Sequence, residues 1–281
     1  MKNLFSILFA ITLVAVLSGG CKKKAEPPVL PPAQTMLIDF SDFVTKKSAP
    51  VESNIKGVNA VENSNWEIAS SVAGLWNLIL ATRIAVPVAA FQKATDNQPV
   101  YLDNKKWEWK YSVNAIGATY KARLTGQIRE TDIKWEMYIA KEGVGAYEEF
   151  LWFEGTMAPD GKSGQWILNH SQALQVPMLQ IDWVLNGTSI GSVKYTYIME
   201  LTENGDPETF KDSYIEYGLT TNILNAYYNV HINITGIQND FKEVLIEWST
   251  ENHNGHIKSS YFFQDELWHC WAGNGNNVDC T

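Results

Sequence analysis

The sequence predicts a mainly β protein: a large antiparallel meander that forms a curved sheet or incomplete barrel, with one long apolar helix packed on its concave face. Between residues 107 and 272, apolar and polar residues alternate with a period of two, as in half-buried strands. Turn sequences such as Asn186-Gly187 and Asn254-Gly255 interrupt this alternation at short intervals. A single long helical segment precedes the strands. The sequence therefore lacks the helices between strands that parallel connections would need, which favours antiparallel pairing.

Residues 1–20 have the composition of a secretory signal. Lys2 provides a basic start, an apolar run covers residues 4–17, and Ser18-Gly19-Gly20 stands directly before Cys21. The apolar run is shorter than the ~20 residues that a permanent transmembrane helix needs. We therefore expect residues 1–20 to be removed as a signal peptide.

The residues around Cys21 carry a resemblance to a known family. Leu17 followed by Ser18-Gly19-Gly20-Cys21 resembles the lipobox of bacterial lipoproteins, in which small residues precede a cysteine that receives diacylglycerol. The resemblance covers residues 1–21 only. It implies that Cys21 is the lipid attachment site and that the mature chain is anchored to a membrane outside the cytoplasm. Because Lys22 rather than Asp follows, it also implies the outer membrane. The alternative is an ordinary secretory signal with an unmodified Cys21.

Residues 21–35 are rich in lysine and proline. Lys22-Lys23-Lys24 is followed by the pairs Pro27-Pro28 and Pro31-Pro32. Such a segment does not bury enough apolar surface to fold, so it is expected to be a tether. Its lysines would contact anionic headgroups at about 1 kcal/mol each. Residues 36–281 are then expected to form a single β-rich domain.

A helix is predicted over about residues 65–86. Ser64 and Glu67 have the spacing of a capping box, and apolar residues recur at helical intervals from Ile68 onward. Pro87 is expected to kink or stop this helix.

The same segment raises the alternative of a transmembrane helix. Arg83 is the only charged residue between Ile68 and Phe91. Against a membrane span stand Arg83 and Pro87 in its interior and the lipid anchor already present. A helix that is apolar nearly all round is better explained by burial in a protein core.

Strand patterns fill the rest of the chain. Three alternating runs begin at Trp107, Tyr120 and Ile133. Further strands are expected around Trp152, Trp166, Trp183, Tyr197, Tyr217, Val230, Ile246, Tyr261 and Trp268. A meander of this size must hide its edges by closing or by curling around another element. In layout it is similar to the periplasmic lipoprotein carriers and related lipid-binding half-barrels, whose curved sheet holds an apolar cavity; the resemblance implies such a cavity here.

The remaining two cysteines, Cys270 and Cys280, lie near the end of an exported chain. A disulfide between them is the simplest interpretation and would contribute roughly 2–3 kcal/mol. One alternative is a metal site formed by His269, Cys270, Asp279 and Cys280. Another is metal binding by His253 and His256, although Asn254-Gly255 between them first indicates a hairpin. We expect neither a metal nor a cofactor.

Catalytic residues are not predicted. The five histidines are scattered and the zinc-binding pattern H-E-x-x-H is absent. Glycoside hydrolysis needs two carboxyl groups roughly 5–10 Å apart. The available acids are Glu148, Glu149, Asp182, Glu216 and Glu247. On an acidic protein with a net charge of −9, such residues are most simply solvated strand faces. The same acidity, without a basic cluster beyond the tether, argues against nucleic acid as a partner.

Aromatic residues are the compositional excess, with 11 Trp and 12 Tyr. Consecutive runs such as residues 150–153 and 261–263 give strands that are apolar on both faces, and both faces must then be covered. The function we expect is that of a membrane-anchored, non-enzymatic lipoprotein that binds a lipid or other hydrophobic ligand in its curved sheet. The alternatives are a structural or interaction subunit of an envelope assembly that docks another envelope protein, and a glycan-binding surface protein.

Overall fold

The computed structural model describes residues 26–38, 40–43 and 63–280. Over these residues the fold is mainly β, with a 14-stranded antiparallel sheet in which the strands lie side by side in chain order. The strands are β1 (Val100–Tyr101), β2 (Lys106–Ala115), β3 (Ala118–Ile128), β4 (Ile133–Lys141), β5 (Tyr147–Met157), β6 (Ser163–Asn169), β7 (Pro177–Asn186), β8 (Ser189–Tyr197), β9 (Tyr214–Leu219), β10 (Ala226–Ile232), β11 (Lys242–Trp248), β12 (Gly255–Lys258), β13 (His269–Trp271) and β14 (Asn277–Val278). The predicted antiparallel meander is confirmed. Within the described ranges β1 and β14 do not pair, so the sheet is not closed.

Alternation along each strand separates a buried face from a polar face. In β2, β3 and β4 the cross-strand neighbours Trp109, Leu124 and Met137 are buried. The residues between them point to the other side and are more exposed, because successive side chains of a strand alternate between faces. The three strands expected from the runs at Trp107, Tyr120 and Ile133 are confirmed.

On the buried face, tryptophans lie over glycines of the neighbouring strand. Gly155 pairs with Trp135 on one side and with Trp166 on the other, and Gly164 pairs with Trp183. A Cβ atom at Gly155 would overlap Cε3 of Trp166 and the carbonyl oxygen of residue 165. Glycine at this position therefore permits the close approach of a large ring, which in turn covers the bare backbone.

Helix α1 spans Asn65–Ala94 and begins with the predicted capping box. The Ser64 hydroxyl accepts a hydrogen bond from the backbone N–H of Glu67 (3.2 Å), and the Glu67 carboxylate accepts one from the backbone N–H of Ser64 (2.7 Å). Two N–H groups that an isolated helix end would leave unpaired are thus satisfied.

Helix α1 continues past residue 86, where the sequence predicts its end. It consists of two arms, Asn65–Ala81 and Arg83–Ala94, which meet at an angle of 63°. Pro87 lies inside the second arm. Because proline has no N–H for the carbonyl of Arg83 and its ring presses on that carbonyl, the distortion falls one turn earlier and the helix bends rather than stops.

Among the described residues no single helix is long and apolar enough to cross a bilayer, whereas the two arms together meet the requirement by length and composition only.

The two arms contact strands at opposite ends of the sheet. At the start of α1, the side-chain amide of Asn65 donates to the carbonyl oxygen of Cys270 in β13 (2.8 Å). Near its end, the carbonyl oxygen of Ala90 accepts a hydrogen bond from the Tyr111 hydroxyl in β2 (2.6 Å). One helix therefore bridges the early and late parts of the meander.

Residues 26–38 are more ordered than the tether that the sequence predicts. Residues 33–36 form a 3₁₀ helix, and Thr35 and Met36 in it are fully buried. The Thr35 hydroxyl accepts from the indole N–H of Trp166 (3.2 Å) and donates to the carbonyl of Pro32 (2.7 Å). Pro28 is also buried. The packed body thus begins before residue 36, because a few apolar side chains among the prolines find places on the buried face.

The C-terminal region corrects the strand predicted around Tyr261, whereas the strand expected around Trp268 is β13, which begins one residue later. Around Tyr261 the chain forms a short helix, α2 (Ser260–Phe263), and Trp268 lies just before β13. Three consecutive aromatic residues do not alternate, and one helical turn buries Phe262 while the other two rings stay half-buried. The predicted disulfide is present: Cys270 and Cys280 are joined, with their Cα atoms 5.3 Å apart.

Candidate functional site

An apolar cavity of about 240 Å³ lies at the bend of α1. The N-terminal segment forms one wall and a single stripe of the helix, on both sides of the bend, forms the other. The lining residues are Leu37, Ile38, Phe40, Asn77, Leu80, Ala81, Ile84, Ala85 and Val88. The helical members recur at intervals of three and four residues, which places them on one face. Asn77 contributes the only polar side chain among them, so the cavity favours an apolar occupant.

A second cavity of about 310 Å³ lies on the other side of Leu37. Its walls come from the 3₁₀ segment and from strands β7, β8 and β9. The lining residues are Pro32, Gln34, Leu37, Leu185, Thr188, Ser189, Ile190, Tyr217 and Leu219. Leu37, which is 37% exposed, therefore stands between two cavities.

The space between α1 and the sheet is occupied by aromatic side chains. Trp76 from the helix is fully buried and packs on Phe210, with ring centroids 5.5 Å apart. Phe91 from the second arm packs on Trp166 at 5.3 Å and on Phe153 at 6.1 Å. The apolar cavities accordingly flank the N-terminal segment rather than the centre of the sheet.

Of the five carboxylates singled out in the sequence, the structure brings two together. Asp182 in β7 and Glu216 in β9 both line a groove of about 470 Å³ on the polar face, on either side of Lys194 in β8. Glu149 instead bonds to the guanidinium of Arg123 (3.1 Å from Nε to Oε1), and Glu148 is exposed at the start of β5.

Glu247, the fifth of these carboxylates, belongs to a set of histidine–carboxylate pairs. Every histidine in the described ranges lies beside an acid. The pairs are His170–Glu203 (3.2 Å), His231–Glu243, His253–Asp42 (3.2 Å), His256–Glu247 (2.9 Å) and His269–Asp265 (3.0 Å). At His170 a hydroxyl faces the second ring nitrogen: Nδ1 lies 3.2 Å from Oγ of Ser171, and that oxygen also accepts a hydrogen bond from the backbone N–H of Leu174 (3.2 Å).

The metal alternatives find no support in the geometry. The sulfur atoms of Cys270 and Cys280 are bonded to each other, so neither is a thiolate ligand. His253 and His256 each face a different carboxylate. Throughout the described ranges, no three residues of the ligand-forming types are grouped to hold a metal ion.

The chain contains two matches to sequence motifs of nucleophilic enzymes. Gly187-Thr188-Ser189-Ile190-Gly191 has the G-x-S-x-G pattern, but Ser189 begins β8 directly after a hairpin turn. A nucleophile elbow requires a strand, a sharp turn and then a helix, so this serine lacks the context for catalysis. The second match, Ser53-Asn54-Ile55-Lys56, lies outside the described residues.

Cys21 and its signal likewise lie outside the described residues. Comparison with known proteins adds no identity: no family model, no curated protein and no solved structure matches the chain. The functional assignment therefore depends on the residues and the geometry of this chain alone.

Acidic pH is expected to lower stability through His170. Its side chain is 6% exposed, and burial lowers its pKa below the ordinary value of 6.5, as does the positive charge of Arg83, while Glu203 acts in the opposite direction. Below pH 6.5 the unfolded chain then binds more protons at this site than the folded chain, so its contribution is complete above that pH and is lost as the pH falls.

The measurement is thermal unfolding of wild type and His170→Gln between about pH 7 and about pH 5.5. We expect the wild type to lose more Tm than the variant over this interval. Carboxylates with a lowered pKa, such as that of Asp265 beside His269, change the stability only at pH values near or below the ordinary carboxyl pKa of about 4. Parallel curves for the two proteins would contradict the assignment.

Proposed function

We propose that this protein is a membrane-anchored envelope lipoprotein, without enzymatic activity, that binds the apolar chain of a lipid or other hydrophobic ligand. The anchor would be the acylated Cys21, as the resemblance of residues 17–21 to a lipobox implies. Lys22 in place of an aspartate favours the outer membrane. The partners are then the membrane itself and a hydrophobic ligand, or an envelope protein that delivers or receives it.

The cavity at the bend of α1 carries the ligand proposal. Apolar side chains form its walls, and the side chain of Asn77 offers an amide NH₂ group as donor and a carbonyl oxygen as acceptor for a polar end group. Its volume of about 240 Å³ lies below the roughly 300–1,000 Å³ of sites for drug-sized ligands. A narrow, flexible chain therefore suits it better than a fused ring system. Burial of such a chain contributes about 25 cal/mol per Å² of apolar surface.

We further propose that the face of the sheet that carries α1 is concave. The helix contacts both Tyr111 near the first edge and Cys270 near the last edge, which favours a sheet curled around it. Glycines on this face, such as Gly155 and Gly164, relieve the crowding that concave curvature imposes on side chains. The ligand would then lie beside the helix bend and not in the hollow of the sheet, where aromatic rings already pack.

Filling the cavity is expected to abolish ligand binding. Ala85→Trp places an indole ring among the lining residues, so the apolar chain loses its space. The Cys21→Ser protein, which carries no acyl chain of its own, serves as the background, and a fluorescent polyene fatty acid serves as the probe. We expect saturable binding by this background and a loss of at least about tenfold, or 1.4 kcal/mol, in the Ala85→Trp variant.

Ile223→Trp is the matched control, because Ile223 is 87% exposed and is not one of the lining residues. It should bind the probe as the background does, and thermal melts should show that all three proteins are folded. Absence of saturable binding by the background, or equal binding by both tryptophan variants, would refute the proposal.

A further inference from the structure

The groove on the polar face of the sheet is built around one row of cross-strand neighbours. Gln165 in β6 lies opposite Asp182 in β7, Asp182 lies opposite Lys194 in β8, and Lys194 lies opposite Glu216 in β9. With strands spaced about 4.8 Å apart, the row is about 14 Å long. All four residues line the groove, whose volume is about 470 Å³. It lies on the face opposite to the one that carries α1.

Asp182 is held in place by two side-chain amides. The Gln165 amide donates to Oδ1 and the Gln180 amide donates to Oδ2, each at 2.7 Å. An ionised carboxylate has about four lone-pair sites. Each oxygen of Asp182 thus keeps an acceptor site after its amide bond is made. Because the side chain is already oriented, a ligand that bonds to it pays little conformational entropy.

Lys194 and Glu216 are oriented by aromatic residues instead of by each other. The Lys194 ammonium lies 3.7 Å from the ring centroid of Tyr214, and Oε1 of Glu216 accepts from the Tyr227 hydroxyl (3.1 Å). Although Lys194 is flanked in register by two carboxylates, it forms no ion pair in the part of the chain that the structure describes. Its N–H groups and the neighbouring carboxylate oxygens therefore remain available as donors and acceptors.

We propose that this groove binds an oligosaccharide segment through its hydroxyl groups. A sugar hydroxyl donates one hydrogen bond and accepts others, so it can donate to Asp182 or Glu216 and accept from Lys194. The alternation of carboxylate, ammonium and carboxylate along the row matches a ligand with hydroxyls on successive rings. Phosphate-rich ligands are disfavoured, since two of the three charged groups repel them. This site is independent of the apolar cavity and extends the proposed function to a second, polar ligand.

The test uses the Cys21→Ser full-length protein with chitotetraose and maltotetraose as neutral probes and spermidine as a cationic probe, measured by isothermal titration calorimetry. We expect saturable binding of at least one tetrasaccharide. Asp182→Asn and Lys194→Met should each weaken it by about tenfold or more, because each substitution removes one charged hydrogen-bond partner while the new side chain keeps a similar size. Glu251→Gln, an exposed change outside the groove, should leave binding unchanged.

The possible outcomes separate this proposal from the previous one. If neither tetrasaccharide binds, if binding survives both groove variants, or if spermidine alone binds, the saccharide site is refuted and the groove is a general acidic surface at most. Binding of the fatty acid probe should be the same in Asp182→Asn, Lys194→Met and the background, so the groove can fail while the apolar cavity stands. Thermal melts show whether either groove variant is misfolded. If one is, the other still tests the proposal.

Discussion

We expect the Cys21→Ser variant, expressed with its signal in a bacterial host, to leave the membrane fraction and appear in the soluble envelope fraction. Serine has no thiol to receive diacylglycerol, so the acyl chains are lost. Each buried CH₂ group contributes about 0.8 kcal/mol, and stable anchoring needs two signals, such as two acyl chains or one chain with a basic patch. Lys22-Lys23-Lys24 alone would contribute about 1 kcal/mol each, which salt screens.

Fractionation with a high-salt wash measures this effect, and intact mass spectrometry of the wild type should show a mature chain that begins at a modified Cys21. Cys270→Ser is the control: it removes a cysteine but should remain in the membrane fraction. If Cys21→Ser still sediments with membranes after the wash although mass spectrometry shows that residues 1–20 have been removed, the anchor is elsewhere in the chain, and the two arms of α1 would be the next segment to test.

The Gly155→Ala variant is expected to lose about 3 kcal/mol of unfolding free energy, the upper part of the range for an overpacked core. The added Cβ would overlap Trp166 and the carbonyl of residue 165. Neither neighbour is free to move. Trp166 is 1% exposed, and its indole N–H donates a hydrogen bond to the Thr35 hydroxyl. The carbonyl belongs to the backbone of β6. The new methyl group must therefore shift the backbone of β5.

Gly191→Ala provides the matched comparison in β8. There the nearest atom to an added Cβ is the Val184 carbonyl oxygen at 3.3 Å, so a small adjustment suffices. Its stability should change by less than about 1 kcal/mol, helped by the lower conformational entropy of the unfolded chain. Urea denaturation gives both free energies. Equal losses in the two variants would show that contact with Trp166 is not the cause.

Several parts of the fold could be predicted because their causes are local in the sequence. The capping box of Ser64 and Glu67 depends on residues three apart, and the alternation from Trp107 onward specifies which face of β2 is buried. The disulfide could be predicted because the chain has three cysteines, and Cys270 and Cys280 are the two that remain once Cys21 is assigned to lipid attachment.

Other features depend on contacts between distant residues. Thr35 finds its partner in Trp166, 131 residues away, so the proline-rich composition around it did not reveal that this segment is buried. The bend of α1 falls before Pro87, yet the helix continues to Ala94 because its second arm is packed through residues such as Phe91. Local patterns contain no signal for such packing.

The candidate sites show the same division. By itself the sequence determined the expected membrane address at Cys21, the meander, the helix start and the pool of acidic residues. Only the tertiary structure decided that Asp182, Lys194 and Glu216 share one groove and that the stripe near Ala85 faces Leu37 across a cavity. The physical reason is that periodicity and capping arise within a few residues of chain, whereas cavities and grooves arise where strand register and helix packing bring remote residues together.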